Sequence, residues 1–486
     1  MQESYRPKPG DKIFRPRRIR RHHLKRVLGV AALFSAGYGN VGSSIYYALG
    51  IVALIALGAT PIVLGIAGIL FIFTALTYAE GTAMLPEAGG SASFARHGFN
   101  DIAGFIAGWA LMLSYIVTIS ISAYTIPPYL GFFWEPFKAD PMLGTTVSMG
   151  IVLLLMMINV IGVKETSLVN IGAAILDITT QVTLVVIGFI LLFNPPVLFH
   201  RIVDNWPSTE NLIFGIALAS IAYTGIETMS QMAEETRQPE KRVPRALIMM
   251  IIAVLVIFAG ISLVSFSAMS PQELATDWAR DPIAGIAAKL PIAVLSEILK
   301  PLIALLAGTI LLIATNAGLM GISRLAFSLG GHRLQPVALS RVHPRFKTPY
   351  VAIIVFGIIA LLILTPGFFA TNTFANMGAL YAFGSLLAFM FAHASIISLR
   401  VRQPELKRPF KLGWNIRVKG REIPISAIIG LLATTGIWVI ILITQPYSRW
   451  IGIGWMIVGL IIYAIYRRKS GLPLSNAPKK PGEGVL

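Results

Sequence analysis

Gly37-Tyr38-Gly39-Asn40-Val41-Gly42-Ser43-Ser44 lies in the middle of an apolar run that extends from about residue 27 to 57. Each glycine weakens a helix interior by roughly 1 kcal/mol relative to alanine. The run is also longer than the roughly 20 residues that one straight crossing of a bilayer needs. A helix broken near Gly42–Ser44 answers both facts. A small-residue packing face, where glycine and serine let a neighbour approach closely, answers the composition equally well.

A second interrupted run helps to decide between them. Ser220-Ile221-Ala222-Tyr223-Thr224-Gly225-Ile226-Glu227 places a glycine, hydroxyls and a carboxylate at mid-span. Glu227 at that depth is costly unless it faces protein or water. The two interrupted runs are five apolar segments apart, the spacing an inverted five-helix repeat produces. A broken helix exposes N–H groups at one new end and C=O groups at the other. The first suits a carboxylate and the second an ammonium or a metal cation. A zwitterion carries both charges, although a lone cation would use the same carbonyls.

Outward from these stretches, the whole chain reads as membrane-embedded. Of 486 residues, 55% are hydrophobic and only 13% charged, against roughly 25% charged in soluble domains. Twelve apolar stretches are long enough to cross: 27–57, 61–85, 100–131, 141–162, 167–195, 210–235, 244–268, 293–321, 348–365, 370–399, 423–444 and 449–466. The first is too long for a signal h-region and has no convincing cleavage site, so the chain is expected to insert whole. With both termini in the cytoplasm, 34 of the 40 lysines and arginines fall on the cytoplasmic side. That is the positive-inside pattern. It accounts for the net charge of +18 without nucleic acid. The expected organisation is a basic cytoplasmic tail (1–26), one transmembrane domain (27–467) and a cytoplasmic tail (468–486) that reads as disordered from residue 470. The domain divides into 27–195, 210–399 and two trailing helices over 423–467. Arg15-Pro16-Arg17-Arg18-Ile19-Arg20-Arg21 is read as a topology anchor; a polybasic patch for anionic lipid is the alternative.

Several motifs in chain order resemble the amino acid–polyamine–organocation (APC) permeases. Gly42-Ser43-Ser44-Ile45 is similar to that family's Gly-Ser-Gly-Ile break, with Ser44 in place of the usual glycine. Tyr223-Thr224-Gly225-Ile226-Glu227, then Glu234-Glu235, Pro239 and Pro244, resembles its sixth helix and the exit from it. Pro86-Glu87-Ala88-Gly89-Gly90, Gly321-Ile322-Ser323-Arg324 and Arg408-Pro409-Phe410 match three further loops. The resemblance spans about residues 28–467. It implies an all-α membrane protein of about twelve helices, a five-plus-five inverted repeat with helices 1 and 6 broken, and alternating access. It implies that Gly42, Ser43, Ser44 and Ile45 hold a substrate carboxylate. Tyr223, Thr224 and Gly225 would then line the amine side and the side-chain pocket. Many members carry a lysine in helix five; counting from Gly162-Val163-Lys164, the matching position here is Asp177.

A mid-membrane aspartate needs a proton, a paired cation or hydrogen-bond donors. Asp177 and Glu227 are therefore the expected coupling groups, for a proton or a monovalent cation. The alternative for Asp177 is a buried carboxylate satisfied by Thr179, Thr180 or a neighbouring helix. Asn316 in helix eight is placed at the pocket, with packing as its alternative. Ser120, Ser122 and Thr125 either line a polar path or bond back to their own helix. Glu80 is placed near a cytoplasmic helix end, His393 is read as structural, and Glu234 and Glu235 are expected to pair with Arg237, Lys241 or Arg242.

The resulting reading is a secondary active transporter of amino acids or related amines in the cell membrane, with no cofactor. No phosphate-binding Gly-rich Lys-Ser/Thr loop is present. A potassium-type cation transporter on the same scaffold is the alternative. An intramembrane enzyme is disfavoured, because only His393 of the seven histidines falls within an apolar stretch and catalysis needs facing groups.

Overall fold

A computed structural model of the chain describes residues 26–162, 167–370, 372–418 and 420–476. The N-terminal polybasic stretch lies outside them. Among the described residues, eleven helical runs are long and apolar enough to cross a membrane, and the first, Val30–Met84, is 55 residues long. That run contains two crossings. Asn40 bonds Thr228 and Thr82 bonds Ser230, so residues 40 and 82 lie at neighbouring depths on one partner. The chain turns back at Leu57–Ala59, where Leu57 takes φ +42°.

Twelve spans result. Span 1 comprises Val30–Val41 and Ile45–Ala56, joined by a 3-10 turn; span 2 is Thr60–Met84, span 3 Asp101–Leu130, span 4 Pro141–Ile161 and span 5 Ser167–Leu191. Span 6 comprises Thr209–Ala219 and Glu227–Gln231. Span 7 is Pro239–Ala268, span 8 Ala293–Gly331, span 9 Tyr350–Leu364, span 10 Thr373–Arg402, span 11 Ile425–Thr444 and span 12 Pro446–Lys469. Local chemistry sets several starts. Asn100 accepts from Ala103 N–H at span 3, Asp140 from Met142 N–H at span 4, and Ser208 from Asn211 N–H at span 6, the usual work of N-cap side chains.

Span 3 is the central post, buried along nearly its whole length. Spans 8 and 10 pack along it. Span 12 joins through a reciprocal pair: Trp109 Nε1–H donates to Trp455 O at 2.8 Å, Trp455 Nε1–H donates to Trp109 O at 2.9 Å, and the rings stack at 4.6 Å.

Two outcomes differ from the sequence reading. Span 8 does not stop near residue 321 but continues to Gly331; its 39 residues reach roughly 58 Å at 1.5 Å each, so Arg324 rides on helix rather than loop. The segment after span 12 is fastened to the bundle at residues 473, 474 and 476 rather than free of it. The buried Arg467 Nε–H donates to Pro473 O at 2.8 Å, Tyr463 O–H to Leu474 O at 2.6 Å, and Asn476 Nδ2–H to Asp101 Oδ2 at 3.0 Å. These bonds fold the segment back onto the starts of spans 3 and 12's last turn.

Candidate functional site

In span 1 the glycines serve close approach more than unwinding. Gly42–Ser44 forms a single 3-10 turn, with Gly42 at φ −65°, ψ −30° and Ser44 at φ −61°, ψ −24°, both right-handed. A side chain would not fit at these glycines. A Cβ on Gly42 would lie 2.6 Å from the Tyr38 ring, and one on Gly37 would lie 2.8 Å from Met229. The turn's hydroxyls are engaged locally: Ser43 Oγ–H donates to Asn40 O at 2.9 Å, and Ser44 Oγ lies 3.0 Å from Tyr47 OH.

Span 6 does break. After Ser220–Tyr223 the chain extends at Thr224 (φ −78°, ψ 157°), turns through Gly225 at φ +110° and restarts as helix at Glu227. The freed Gly225 N–H donates to Glu227 Oε2 at 3.1 Å. The carboxylate that the new N-terminus invites is thus supplied by the chain itself. Span 1 meets the break directly: Asn40 Nδ2–H donates to Thr228 Oγ1 at 2.8 Å, and a Cβ on Gly225 would lie 3.0 Å from Asn40.

Glu227 is 1% exposed. The hydroxyls of Tyr78, Tyr115 and Tyr381 lie close enough to share its field. Among the described residues, Asn40 Oδ1 and both amide atoms of Gln231 have no hydrogen-bond partner.

On the other side of span 1, Asp177 accepts from Tyr46 O–H at 2.5 Å, Tyr38 O–H at 2.8 Å and Gln181 Nε2–H at 2.7 Å. Thr179 and Thr180 do not serve it. Tyr38 and Tyr46 flank the Gly42–Ser44 turn, so one carboxylate of span 5 clasps both sides of it. A cleft lined by Tyr38, Gly42, Ile45, Gln181 and Phe258 runs alongside. It has no room for a water molecule as it stands.

The structure therefore gathers Gly42, Ser43, Ser44, Ile45, Thr224, Gly225 and Glu227 at one depth, with Asp177 behind the turn. Two expected pocket residues point elsewhere. Tyr223 O–H donates to Leu64 O at 2.8 Å, and its ring lies between Phe71 and Phe258, 5.3 and 5.2 Å away. Asn316 Oδ1 accepts from Asn159 Nδ2–H at 2.5 Å, toward span 4. Ser120 and Thr125 bond back to Ile116 O and Ile121 O. Asn40, Tyr38, Tyr46, Tyr115, Tyr381 and Gln181 belong to the site and were not singled out from sequence. Asn40 could have been, as a polar amide amid glycines at mid-span.

Both ends of the bundle are closed over this centre. At the end where the described chain starts, Val27 and Leu28 N–H donate to Glu235 O at 2.9 and 3.0 Å, and Arg324 Nη2 lies 3.1 Å from the Glu235 carboxylate. Glu234 accepts from Ala88 N–H at 2.9 Å. The expected pairing of these two glutamates with Arg237, Lys241 or Arg242 is thus replaced by contacts to the loop after span 2 and to Arg324 of span 8. Nearby, Glu87 takes Arg96 and His97 at 3.1 and 3.2 Å. Burial by itself would raise the Glu87 carboxyl; the His97 hydrogen bond and the His97 and Arg96 charges override it and hold it well below the usual carboxylate range. Glu80, which is fully buried, forms a fork with Arg400 at 2.8 and 2.5 Å and accepts from Leu412 N–H at 2.7 Å. At the opposite end Lys138 Nζ lies 2.8 Å from Asp281 and 4.3 Å above the Trp278 ring. His393 rests between Thr77 and Thr74, at 2.9 and 3.2 Å.

A bundle of twelve spans that closes over an interrupted, polar, mid-depth centre is the architecture of a membrane transport protein rather than of a receptor anchor or a pore lined along its axis. The family model for amino acid permeases matches residues 28–466, and the chain belongs to that family. Among its relatives, a branched-chain amino acid permease of Bacillus subtilis is 28% identical over 472 residues, covering 92% of this chain and 94% of that protein. A methylthioribose transporter of the same organism is 26% identical, covering 92% and 95%. The Asc-type amino acid transporter 1 of Mus musculus is 25% identical, covering 78% and 72%.

Proposed function

We propose that this permease is a secondary active transporter that moves an amino acid or related amine across the cell membrane by alternating access. The observation that carries the reading is the span 6 break at Thr224–Gly225, buried against the Gly42–Ser44 turn and closed over at both ends. With contacts drawn across both ends, a substrate enters only when one seal opens. The substrate carboxylate docks at the Gly42–Ser44 turn. Its amine meets the carbonyls freed before Gly225, and Asn40 Oδ1, without a partner among the described residues, offers a further acceptor. The relatives named for amino acids support the substrate class. The five-segment spacing of the two interruptions supports a five-plus-five inverted repeat over 27–195 and 210–399, and the lysine and arginine distribution supports cytoplasmic termini.

Asp177 and Glu227 are assigned the coupling to a proton or monovalent cation. Asp177 clasps the span 1 turn through two tyrosines, so a change in its charge alters the turn's hold on span 5. Uptake of radiolabelled amino acids into proteoliposomes, under imposed proton and cation gradients, tests the proposal. Gradient-dependent accumulation supports it. Rubidium uptake with no amino acid uptake under any gradient overturns it.

A further inference from the structure

Between spans 10 and 11 the chain forms a two-stranded hairpin, Asn415–Val418 paired antiparallel with Arg421–Pro424. Ile416 and Val418 share one face of it with Arg421 and Ile423, as the register requires. Ile416 and Val418 are 52% and 46% exposed, and Trp414 just before them is 70% exposed. The hairpin is tied to the bundle through Asn415. Asn415 Oδ1 accepts from Arg400 Nη1–H at 2.7 Å, Arg400 holds the buried Glu80, and Glu422 pairs with Lys411.

We propose that the Ile416–Val418 face of the hairpin, with the exposed Trp414 just before it, docks on the surface of the surrounding bilayer and selects anionic lipid. Three observations converge on that occupant. Span 11 begins at Ile425, directly after the second strand, with no spacer. Strands of four residues reach only about 13 Å, so the hairpin cannot leave the interfacial zone. Tryptophan flanked by aliphatic residues favours that zone. Charge supplies the selectivity: residues 400–422 hold eight lysines and arginines against two glutamates. Arg400 is taken by Glu80 and Lys411 by Glu422, but Arg402, Lys407, Arg417 and Arg421 are exposed, and such charges beside a membrane helix attract anionic headgroups. Arg421 lies on the apolar face itself. The rigid mount through Asn415, Arg400 and Glu80 means that the face is presented, not folded on contact.

The chain has no cysteine, so Ile416→Cys gives a unique labelling position on the full-length protein. An environment-sensitive fluorophore there is read in nanodiscs of phosphatidylcholine alone or mixed with phosphatidylglycerol. Arg417→Cys, on the opposite face with its side chain 80% exposed, serves as the aqueous reference. The expected result is a several-fold loss of iodide quenching at position 416 relative to 417 in anionic nanodiscs, quenching by doxyl-labelled lipid, and reversal at high salt. Iodide quenching equal at both positions in every lipid overturns the proposal. Equal protection in phosphatidylcholine alone removes the anionic selectivity and overturns it as stated. Protection seen only in nanodiscs holding two copies assigns the face to a second copy instead.

Discussion

Replacing Gly225 with alanine strikes the centre of this molecule twice. The first penalty is conformational: Gly225 sits at φ +110°, and forcing a side-chain-bearing residue into such a region costs about 1–3 kcal/mol. The second is steric. The new Cβ would lie 3.0 Å from Asn40 Cγ and 3.1 Å from the Asn40 backbone carbonyl carbon. The amide could swing, but the backbone of span 1 cannot, and overpacking of this kind costs about 1–3 kcal/mol. The two penalties share an atom and partly relax together, so roughly 2–4 kcal/mol is the working figure. The Asn40–Thr228 bond, which joins the two interruptions, is the first contact to give. A change of that size alters the balance of conformations by about 30- to 1,000-fold. The assay pairs initial uptake in proteoliposomes with thermal unfolding of the purified protein. Uptake is expected to fall to background and the unfolding temperature to drop. Gly436→Ala is the control, since a Cβ there meets nothing within 4 Å, and it should leave both unchanged. Gly225→Ala with wild-type uptake would refute the assignment of this break to the transport pathway.

Further expectations concern other parts of the bundle. Glu80→Gln leaves Arg400 buried without its charge partner, a defect worth about 3–5 kcal/mol; thermal unfolding in detergent should drop sharply, and Glu80→Leu combined with Arg400→Met should recover much of it. Asp177→Asn keeps the size but halves the acceptors offered to Tyr38, Tyr46 and Gln181; the pH or cation dependence of uptake should flatten, and an unchanged dependence would make Asp177 structural. Ser44→Phe fills the span 1 turn and should abolish uptake while surface labelling shows normal insertion. Glu87 gives a pH test with a definite sign. Its folded carboxyl is held below the usual carboxylate range, so its contribution to stability is complete above that range and is lost as pH falls below it. The stability gap between wild type and Glu87→Gln should therefore close as pH falls below about 4; a gap that widens below that pH contradicts the His97 and Arg96 pairing.

Span positions were legible because hydropathy is a local property. The continuation of span 8 past residue 321 was not. Ser323, Arg324 and Ser328 look like loop chemistry, yet Ser328 Oγ–H donates to Ala88 O at 2.5 Å and Arg324 reaches Glu235, so tertiary contacts hold the extra turns. Glycines were readable as interruptions but not as to kind. Gly225 needs its positive φ, whereas Gly37 and Gly42 need only the space that Met229 and Tyr38 occupy. The clasp on Asp177 joins residues 131 and 139 positions apart, and the Glu80–Arg400 fork joins residues 320 apart. Neither has a local pattern. Both became visible only when the fold brought the partners together.

The most direct test of the account is concentrative uptake of radiolabelled amino acids by the purified protein in proteoliposomes, wild type beside Gly225→Ala. The account predicts gradient-driven accumulation by the wild type that the variant loses while remaining folded and inserted. Equal accumulation by both proteins, or none by the wild type under any imposed gradient, would contradict it.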